Sequence, residues 1–139
     1  RPMADLLEPG VWTPEGKKWL LEIAFLGKPP GDLWGGLCRR PQGEIDLIKL
    51  TSLEPRGATG YKRKKLTLAD WRLDGVQVVS KMVSFSNFSG DQLWPPLDVG
   101  FVATTEDASG VLLVWAYLRT TRTLMPGEEL VFPWRLGFA

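Results

Sequence analysis

The chain has 139 residues, of which 44% are hydrophobic and 24% are charged, and this composition is typical of one folded globular domain. The net charge of +1 leaves no basic excess to neutralise phosphates, so we do not expect a nucleic-acid partner. The chain has no histidine and a single cysteine, Cys38. This excludes an internal disulfide, a Cys/His zinc site and histidine-dependent catalysis. We therefore expect a core position for Cys38, and no cofactor, metal or enzymatic activity.

Two further compositional features bear on where the protein works. No apolar run reaches the roughly 18 residues that a membrane-spanning helix needs, and no signal-peptide pattern is visible, so we expect no membrane association. The chain has eleven prolines and very few amide side chains, with Asn87 as its one asparagine. Stiffened loops and few thermolabile residues favour a thermophilic source.

The first part of the chain predicts an extended arm over residues 1–12 and a helix over residues 13–27. Thr13 can cap the first amides, Pro14 suits the first helical position, and Gly27 can end the helix. Apolar residues recur at helical spacing and predict a stripe that packs on the rest of the protein: Trp19, Leu20, Ile23, Ala24 and Leu26.

The remaining residues, 31–139, alternate short apolar runs with Gly, Pro and Asp, which is typical of β-structure. We predict a mainly β fold, with residues 1–139 forming a single β-sandwich or jelly-roll-like domain that carries one short N-terminal helix. The predicted strands are Leu33–Cys38, Ile45–Leu50, Tyr61–Leu68, Val76–Val79, Met82–Phe85, Leu97–Thr104, Val111–Leu118, Arg122–Leu124 and Glu129–Trp134.

Two turns and one unusual strand stand out in the second half. Residues 106–110 predict a hairpin turn in which Gly110 is free to take positive φ, and Met125–Glu129 predicts a second turn. Apolar and polar residues do not alternate in residues 111–118, so we expect both faces of this strand to be covered.

Four consecutive cations, Lys62–Lys65, precede a leucine-rich run that ends at Trp71. In a strand, Lys62 and Lys64 would face one side, and Arg63 and Lys65 the other, so the run does not form one dense patch. Lysines of this kind are typical of an exposed edge strand. Arg63 and Lys65 are nevertheless candidates for contact with a partner.

The chain contains seven tryptophans, a residue type that suits both cores and subunit interfaces. Trp19 and Trp115 fall in apolar patterns and are predicted to lie in the core. Trp12, Trp94 and Trp134 lie near Pro or Gly at the ends of predicted elements. These three are the tryptophan candidates for an interface.

Other chemical motifs are weak. The adjacent carboxylates Glu106–Asp107 and Glu128–Glu129 lie in predicted turns, which favours solvation over paired-carboxylate catalysis. No glycine cluster has the pattern of a phosphate-binding loop. The run "RTLMPGEEL", residues 122–130, resembles the end of SET and PR-type methyltransferase domains, but those domains also use an Asn-His pair, which this chain lacks.

A longer resemblance runs over most of the chain. It includes the helix "EGKKWLLEIAFLG", residues 15–27, the strand "DLWGGLC", residues 32–38, and the segments "TGYKRKKLTLADW", residues 59–71, and "LWPPLDVGFVATTEDASGVLLVWAYLRTTRTLMPGEELVFPWRLGF", residues 93–138. The matching residues occur in the same order as in a family of small tailed-phage virion proteins, of the tail-fibre-like or minor-tail type, which the chain resembles. The matching positions are Gly60, Tyr61, Arg63, Leu66, Ala69, Asp70, Trp71, Trp94, Gly100, Phe101, Ser109, Gly110, Leu112, Leu113, Leu118, Pro126, Gly127, Leu130 and Phe132. The chain departs from the family's pattern at residues 102–104 and 110–111 and in its last strand.

The resemblance implies a β-sandwich subunit that assembles on the virion and has no catalytic residues. We therefore predict a non-enzymatic structural subunit of a tailed-bacteriophage virion, in the tail, a fibre or the head surface. Its partners would be other virion proteins and copies of itself in a symmetric oligomer, with a trimer as the first hypothesis and a hexamer as the second. The alternative is a monomeric β module that binds a glycan or nucleic acid through its tryptophans beside Lys62–Lys65.

Overall fold

The computed structural model describes residues 6–56, 60–87 and 93–137. Two α-helices and one short 3₁₀ helix lie in these ranges: α1 (Pro14–Leu26), α2 (Leu47–Ser52) and the 3₁₀ helix Leu68–Asp70. The strands are β1 (Val11–Trp12), β2 (Leu33–Cys38), β3 (Lys64–Leu66), β4 (Trp71–Asp74), β5 (Gln77–Ser80), β6 (Val83–Ser86), β7 (Leu97–Ala103), β8 (Leu112–Arg122), β9 (Glu129–Phe132) and β10 (Arg135–Gly137). The mainly β fold is confirmed. The sandwich or jelly-roll arrangement and the single domain stay predictions.

Within the described ranges the strands form three antiparallel sheets. The first has the order β1-β8-β7-β2-β3, the second β10-β5-β4, and the third contains β6 and β9. The N-terminal arm runs along the outer edge of β8, where Leu7 bridges Leu118 and Val11 pairs with Trp115. Residues 1–5 of the predicted arm lie outside the described residues.

Two hydrophobic clusters are formed around the five-stranded sheet. The larger one includes Leu37, Val102 and Leu113 of this sheet, together with residues of both smaller sheets. The second joins Val99 and Phe101 of β7 to the buried leucines of α2, and it also contains Cys38. The core position predicted for Cys38 is therefore confirmed, and burial raises the pKa of its thiol.

Strand β8 is buried along most of its apolar length, as its lack of alternation predicts. Leu113 and Leu118 belong to the larger cluster, whereas Leu112 belongs to the second, where Trp115 packs against it from a half-buried position. The strand continues to Arg122, so the separate strand predicted at Arg122–Leu124 does not exist. The exposed end of β8, residues 119–122, continues the same strand, and Arg122 pairs with Leu97 of β7.

Helix α1 has the ends that the sequence predicts. The Thr13 side chain accepts a hydrogen bond from the Gly16 amide, and Gly27 adopts a left-handed conformation at the other end. Trp19, Leu20 and Ile23 of the predicted stripe are half-buried, but Ala24 and Leu26 are exposed. The stripe prediction was wrong at these two positions because the helix meets β8 through its first half.

The segment predicted as the strand Ile45–Leu50 is helical instead. The Asp46 side chain accepts a hydrogen bond from the Lys49 amide at 2.8 Å and so caps α2. Leu47 and Leu50 are buried three residues apart, which is helical spacing. The strand prediction for Ile45–Leu50 was therefore wrong, because the capping signal of the aspartate outweighs the β-branched residues around it.

Other differences concern strand ends. The strand predicted at Tyr61–Leu68 is confined to β3, because Arg63 lies outside the ladder and the chain turns into the 3₁₀ helix. The strands β4 and β10 were not predicted. Both are short segments in which Arg or Asp interrupts the apolar pattern, so the residues themselves give little strand signal.

The two predicted turns use their glycines differently. Gly127 has positive φ, as expected of the Pro-Gly turn before β9. Gly110 does not use the positive φ that a glycine is free to adopt. A Cβ atom there would lie 2.5 Å from the hydroxyl oxygens of both Thr104 and Thr105, so this glycine is needed for space.

Candidate functional site: an apolar groove beside helix α1

An apolar groove of about 200 Å³ lies between α1, the five-stranded sheet and the three-stranded sheet. Its walls are almost entirely hydrophobic and include three half-buried indole rings. The lining residues are Trp12, Trp19, Leu20, Leu33, Leu68, Trp71, Val78, Val102, Leu113, Val114 and Leu136. A concave apolar surface of this kind is typical of a binding site.

The wall formed by α1 is fixed by the close contact of the helix with β8. The Thr13 hydroxyl donates to the carbonyl oxygen of Leu112 at 2.5 Å, and the Thr13 amide donates to that of Leu113 at 3.0 Å. Gly16 lies directly on the strand, since a Cβ atom there would be 2.1 Å from the Leu113 carbonyl oxygen. This contact turns Trp19 and Leu20 toward the groove.

The opposite wall is formed by the hairpin of β4 and β5. Leu73 pairs with Val78, and Val78 pairs with Leu136 on β10, so these three side chains share one face of the sheet. Gly75 makes the tight turn with a φ of 63°. Leu73 and Val78 are exposed, and they extend the apolar surface of the groove outward to the hairpin.

The 3₁₀ helix Leu68–Asp70 directly precedes β4 and fixes the position of its first residue. The Asp70 carboxylate accepts hydrogen bonds from the Thr67 amide at 2.7 Å and from the Thr67 hydroxyl at 3.0 Å. The bond from the Thr67 amide, with smaller contributions from the hydroxyl and from Lys81, lowers the pKa of Asp70. This local structure positions Leu68 and Trp71 at the groove.

A second apolar surface lies on the outer side of α1. Leu21 and Phe25 are four residues apart, and both are exposed. Phe25 is 78% exposed, although it follows the groove-lining Leu20 by only five residues. We call this pair the α1 ridge. A helix that is apolar on its outer side as well as its inner side is typically covered on both.

Of the interface candidates proposed from the sequence, Trp12 is the one that lines the groove. Its indole N–H donates to the carbonyl oxygen of Gly137 at 3.0 Å, which orients the ring between β1 and β10. The ring is half-buried and leaves part of its face at the groove.

Trp94 and Trp134 are each 1% exposed, so the prediction that they form an interface was wrong. Trp94 makes an edge-to-face contact with Tyr61, with 5.5 Å between ring centroids. Trp134 packs against Phe132, and Gly35 leaves room for its ring, since a Cβ atom there would be 2.6 Å from the indole. Both tryptophans lie beside the ends of strands, as predicted, but these ends are buried in the core.

Arg63 is also buried, which corrects the view that the cations of this segment face water or a partner. Its guanidinium forms a two-pronged ion pair with Glu54, with N–O distances of 2.8 and 3.0 Å. The remaining N–H groups donate to the carbonyl oxygens of Thr105 and Asp107 and to the hydroxyl of Thr51. All five donors of the side chain are used, so Arg63 ties three segments together.

Tyr61 completes this network. Its hydroxyl donates to the Glu54 carboxylate and accepts a hydrogen bond from the Leu37 amide at 2.9 Å. Burial, and then the negative charge of Glu54, raise the pKa of Tyr61 well above its usual range. The network ties together segments of the core, and Glu54, Tyr61 and Arg63 also line a surface pocket beside it.

Lys65 lies on the edge strand β3, as predicted, and remains exposed. Its ammonium group lies 3.3 Å from the Asp32 carboxylate and 6.0 Å from the centre of the Trp34 ring. These contacts suit a solvated edge strand. Lys65 lies away from the residues that line the groove.

No metal centre or membrane-spanning helix is found in the part of the chain that the structure describes. There, no group of three or more His, Cys, Asp or Glu side chains is arranged to hold a metal ion. No helix in the same ranges is long and apolar enough to cross a membrane.

Comparison with known proteins found no matching family and no significant match among curated proteins.

The sequence patterns missed the α1 ridge. Leu21 and Phe25 lie outside the predicted stripe, so the stripe does not predict them as contact residues. The signal was present, because "WLLEIAFL" is apolar around most of the helix circumference. Such a helix requires cover on more than one side.

Proposed function

We propose that this protein is a non-enzymatic structural subunit of a tailed-bacteriophage virion, in the tail, a fibre or the head surface. In this role it assembles with other virion proteins and as a symmetric homo-oligomer. The observation that carries the proposal is the apolar groove together with the exposed α1 ridge. Apolar surfaces of this extent on a folded protein typically mark a contact with another protein.

The assignment to a phage virion is supported by the ordered residue matches to tailed-phage proteins. Many of these matches fall on positions that this fold needs. Phe101, Leu113 and Phe132 are buried, and Gly127 adopts the positive φ of its turn. Matches at such positions favour a shared fold over coincidence, since each of these residues is constrained by packing or by backbone conformation.

The alternative of a glycan- or nucleic-acid-binding module has less support. It relies on Trp12, Trp94 and Trp134 as stacking platforms, and two of these rings are buried in the core. It also relies on the cations of residues 62–65, of which Arg63 is engaged with Glu54. We therefore favour the assembly role.

Immunogold labelling of purified phage particles tests the virion assignment. We expect antibodies raised against the protein to label particles at a fixed position on the tail, a fibre or the head. Particles from a phage with the gene deleted, or pre-immune serum, serve as the control. Intact, well-dispersed particles that bind no antibody, together with absence of the protein from particles on immunoblots, would contradict the assignment.

A further inference from the structure

We propose that the groove binds the α1 ridge of a second copy of the chain, and that two copies exchange these contacts about a twofold axis. This inference rests on the proposed function, because it names the contact through which the subunit would assemble. α1 carries the ridge on its outer side and lines the groove with Trp19 and Leu20 on its inner side, so each copy presents both halves of the contact. A twofold axis brings the same pair of surfaces together twice.

The ridge faces away from its own sheets. Helical residues are rotated by about 100° each, so Phe25 lies about 140° around the axis from Leu20, which faces the groove. The contact of Gly16 with the Leu113 carbonyl holds α1 in this orientation. Within the described ranges, Phe25 keeps 78% of its surface exposed. No other described residue covers this ring, and a second copy is the cover that the proposal assigns to it.

The groove suits an aromatic or large aliphatic side chain. Its volume is about 200 Å³, and an apolar cavity of about 150 Å³ is large enough for a benzene ring. The rings of Trp12, Trp19 and Trp71 line it, and aromatic pairs add favourable edge or offset contacts. Phe25 and Leu21 of a second copy match this chemistry.

The available area favours a twofold contact over a head-to-tail ring. Six exposed side chains around α1 and the hairpin contribute roughly 350 Å² of apolar surface, if a fully exposed side chain presents about 60–120 Å²: Leu21, Phe25, Leu26, Leu68, Leu73 and Val78. Interfaces are about 57% non-polar, so this corresponds to roughly 600 Å² per subunit.

A standard interface takes about 800 Å² from each partner. A twofold contact uses the ridge and groove of both copies at once and comes close to this value. In a ring, each contact would use the ridge of one copy and the groove of the next. Each contact would then bury about half the area of the twofold contact. The twofold contact is compatible with a dimer or a hexamer, and it disfavours the trimer.

Replacing Phe25 by lysine tests the contact with little risk to the fold. Phe25 is exposed, and α1 has no basic residue in its last turn, where a cation is favourable. The matched control is Ile48→Lys, which alters an apolar residue of 71% exposure on α2. Sedimentation of the full chain over a concentration series, with circular dichroism to check folding, gives the affinity of self-association.

We expect Phe25→Lys to weaken self-association at least about a hundredfold, since each contact loses two buried rings, and Ile48→Lys to leave it unchanged. If the unaltered protein self-associates and Phe25→Lys does so equally well, the inference is overturned, while the proposed assembly role stands. If the unaltered protein is monomeric at every concentration, both the inference and the proposed homo-oligomer fail.

The double variant Phe25→Cys/Val78→Cys tests the symmetry. A short bismaleimide should join the ridge of one copy to the groove of the other and yield dimers alone on denaturing gels. The control Ile48→Cys/Val78→Cys should yield none, and the native Cys38 is buried, so it should not react. A ladder of trimers and higher species would overturn the twofold arrangement in favour of a ring. Absence of cross-linking in a self-associating protein would overturn the contact itself.

Discussion

Replacing Arg63 by methionine is expected to lower the free energy of unfolding by about 3–5 kcal/mol. The Arg63 and Glu54 side chains are 2% and 9% exposed. Removing the guanidinium leaves the Glu54 carboxylate buried without its cation, and it also removes the donors to the carbonyl oxygens of Thr105 and Asp107. A small domain has only about 5–15 kcal/mol of stability, so this loss is a large share.

Two further variants separate the causes of this loss. Arg63→Lys keeps the charge but not the planar set of five donors, and we expect it to recover only part of the stability. Arg63→Met combined with Glu54→Gln removes the buried charge while keeping an acceptor for Tyr61, so it should be more stable than Arg63→Met alone. Urea-induced unfolding followed by tryptophan fluorescence measures each change.

The control for this series is Lys65→Met, two residues further along. Lys65 pairs with Asp32 at 3.3 Å, but both side chains are about half exposed. Exposed pairs contribute about 0–1 kcal/mol, so this variant should be nearly neutral. A loss for Arg63→Met as small as that for Lys65→Met would contradict the description of Arg63 as a buried structural ion pair.

Replacing Gly16 by alanine is expected to destabilise the protein by about 1–3 kcal/mol or more. In an ordinary helix interior this change is favourable by about 0.5–1 kcal/mol, because glycine has the greater conformational entropy to lose. Here the new Cβ atom would lie 2.1 Å from the Leu113 carbonyl oxygen. The Cβ atom is fixed to the helix backbone and the Leu113 carbonyl belongs to the strand backbone. Neither can turn aside, so α1 has to move away from β8.

The sign of the Gly16→Ala effect is therefore the informative result. Thermal unfolding of this variant can be compared with that of Lys17→Ala, which alters an exposed neighbour in the same helix and should change stability by no more than about 0.5 kcal/mol. Because Trp19 and Leu20 line the groove, lifting α1 should also weaken self-association. A Gly16→Ala protein of equal or greater stability would contradict the close packing of α1 on β8.

Features set by neighbouring residues could be predicted from the sequence. Thr13, Pro14 and Gly27 define the ends of α1 through local hydrogen bonds and backbone preferences. Strand β2 was predicted with its observed bounds. The covering of β8 on both faces followed from its unbroken apolar run, because a strand with no polar face has no side to turn to water.

Features set by distant residues could not be predicted in this way. The burial of Arg63 depends on acceptors at positions 51, 54, 105 and 107, and no local pattern links these positions to one another. Trp134 is buried because Gly35, a hundred residues earlier, leaves room for its ring. In α2, by contrast, the Asp46 cap is a local helix signal, although Ile45 and Ile48 beside it favour a strand.

The groove depends both on features set by neighbouring residues and on features set by distant ones. The chain order shows a helix, a cap and a hairpin, but it does not show that α1 and the β4–β5 hairpin face each other. That proximity arises from the pairing of β10 with β5 and of β1 with β8, and the hydrogen bond from Trp12 to Gly137 links β1 to β10. Leu21 and Phe25 are visible in the sequence as apolar residues outside the predicted stripe.

The central claim is that this protein assembles with copies of itself through apolar surface beside α1. The native mass of the purified chain, measured by sedimentation or light scattering over a wide concentration range, tests this claim most directly. We predict a defined oligomer whose mass is a whole multiple of the subunit mass of 15.5 kDa. A mass of one subunit at every concentration would contradict the claim.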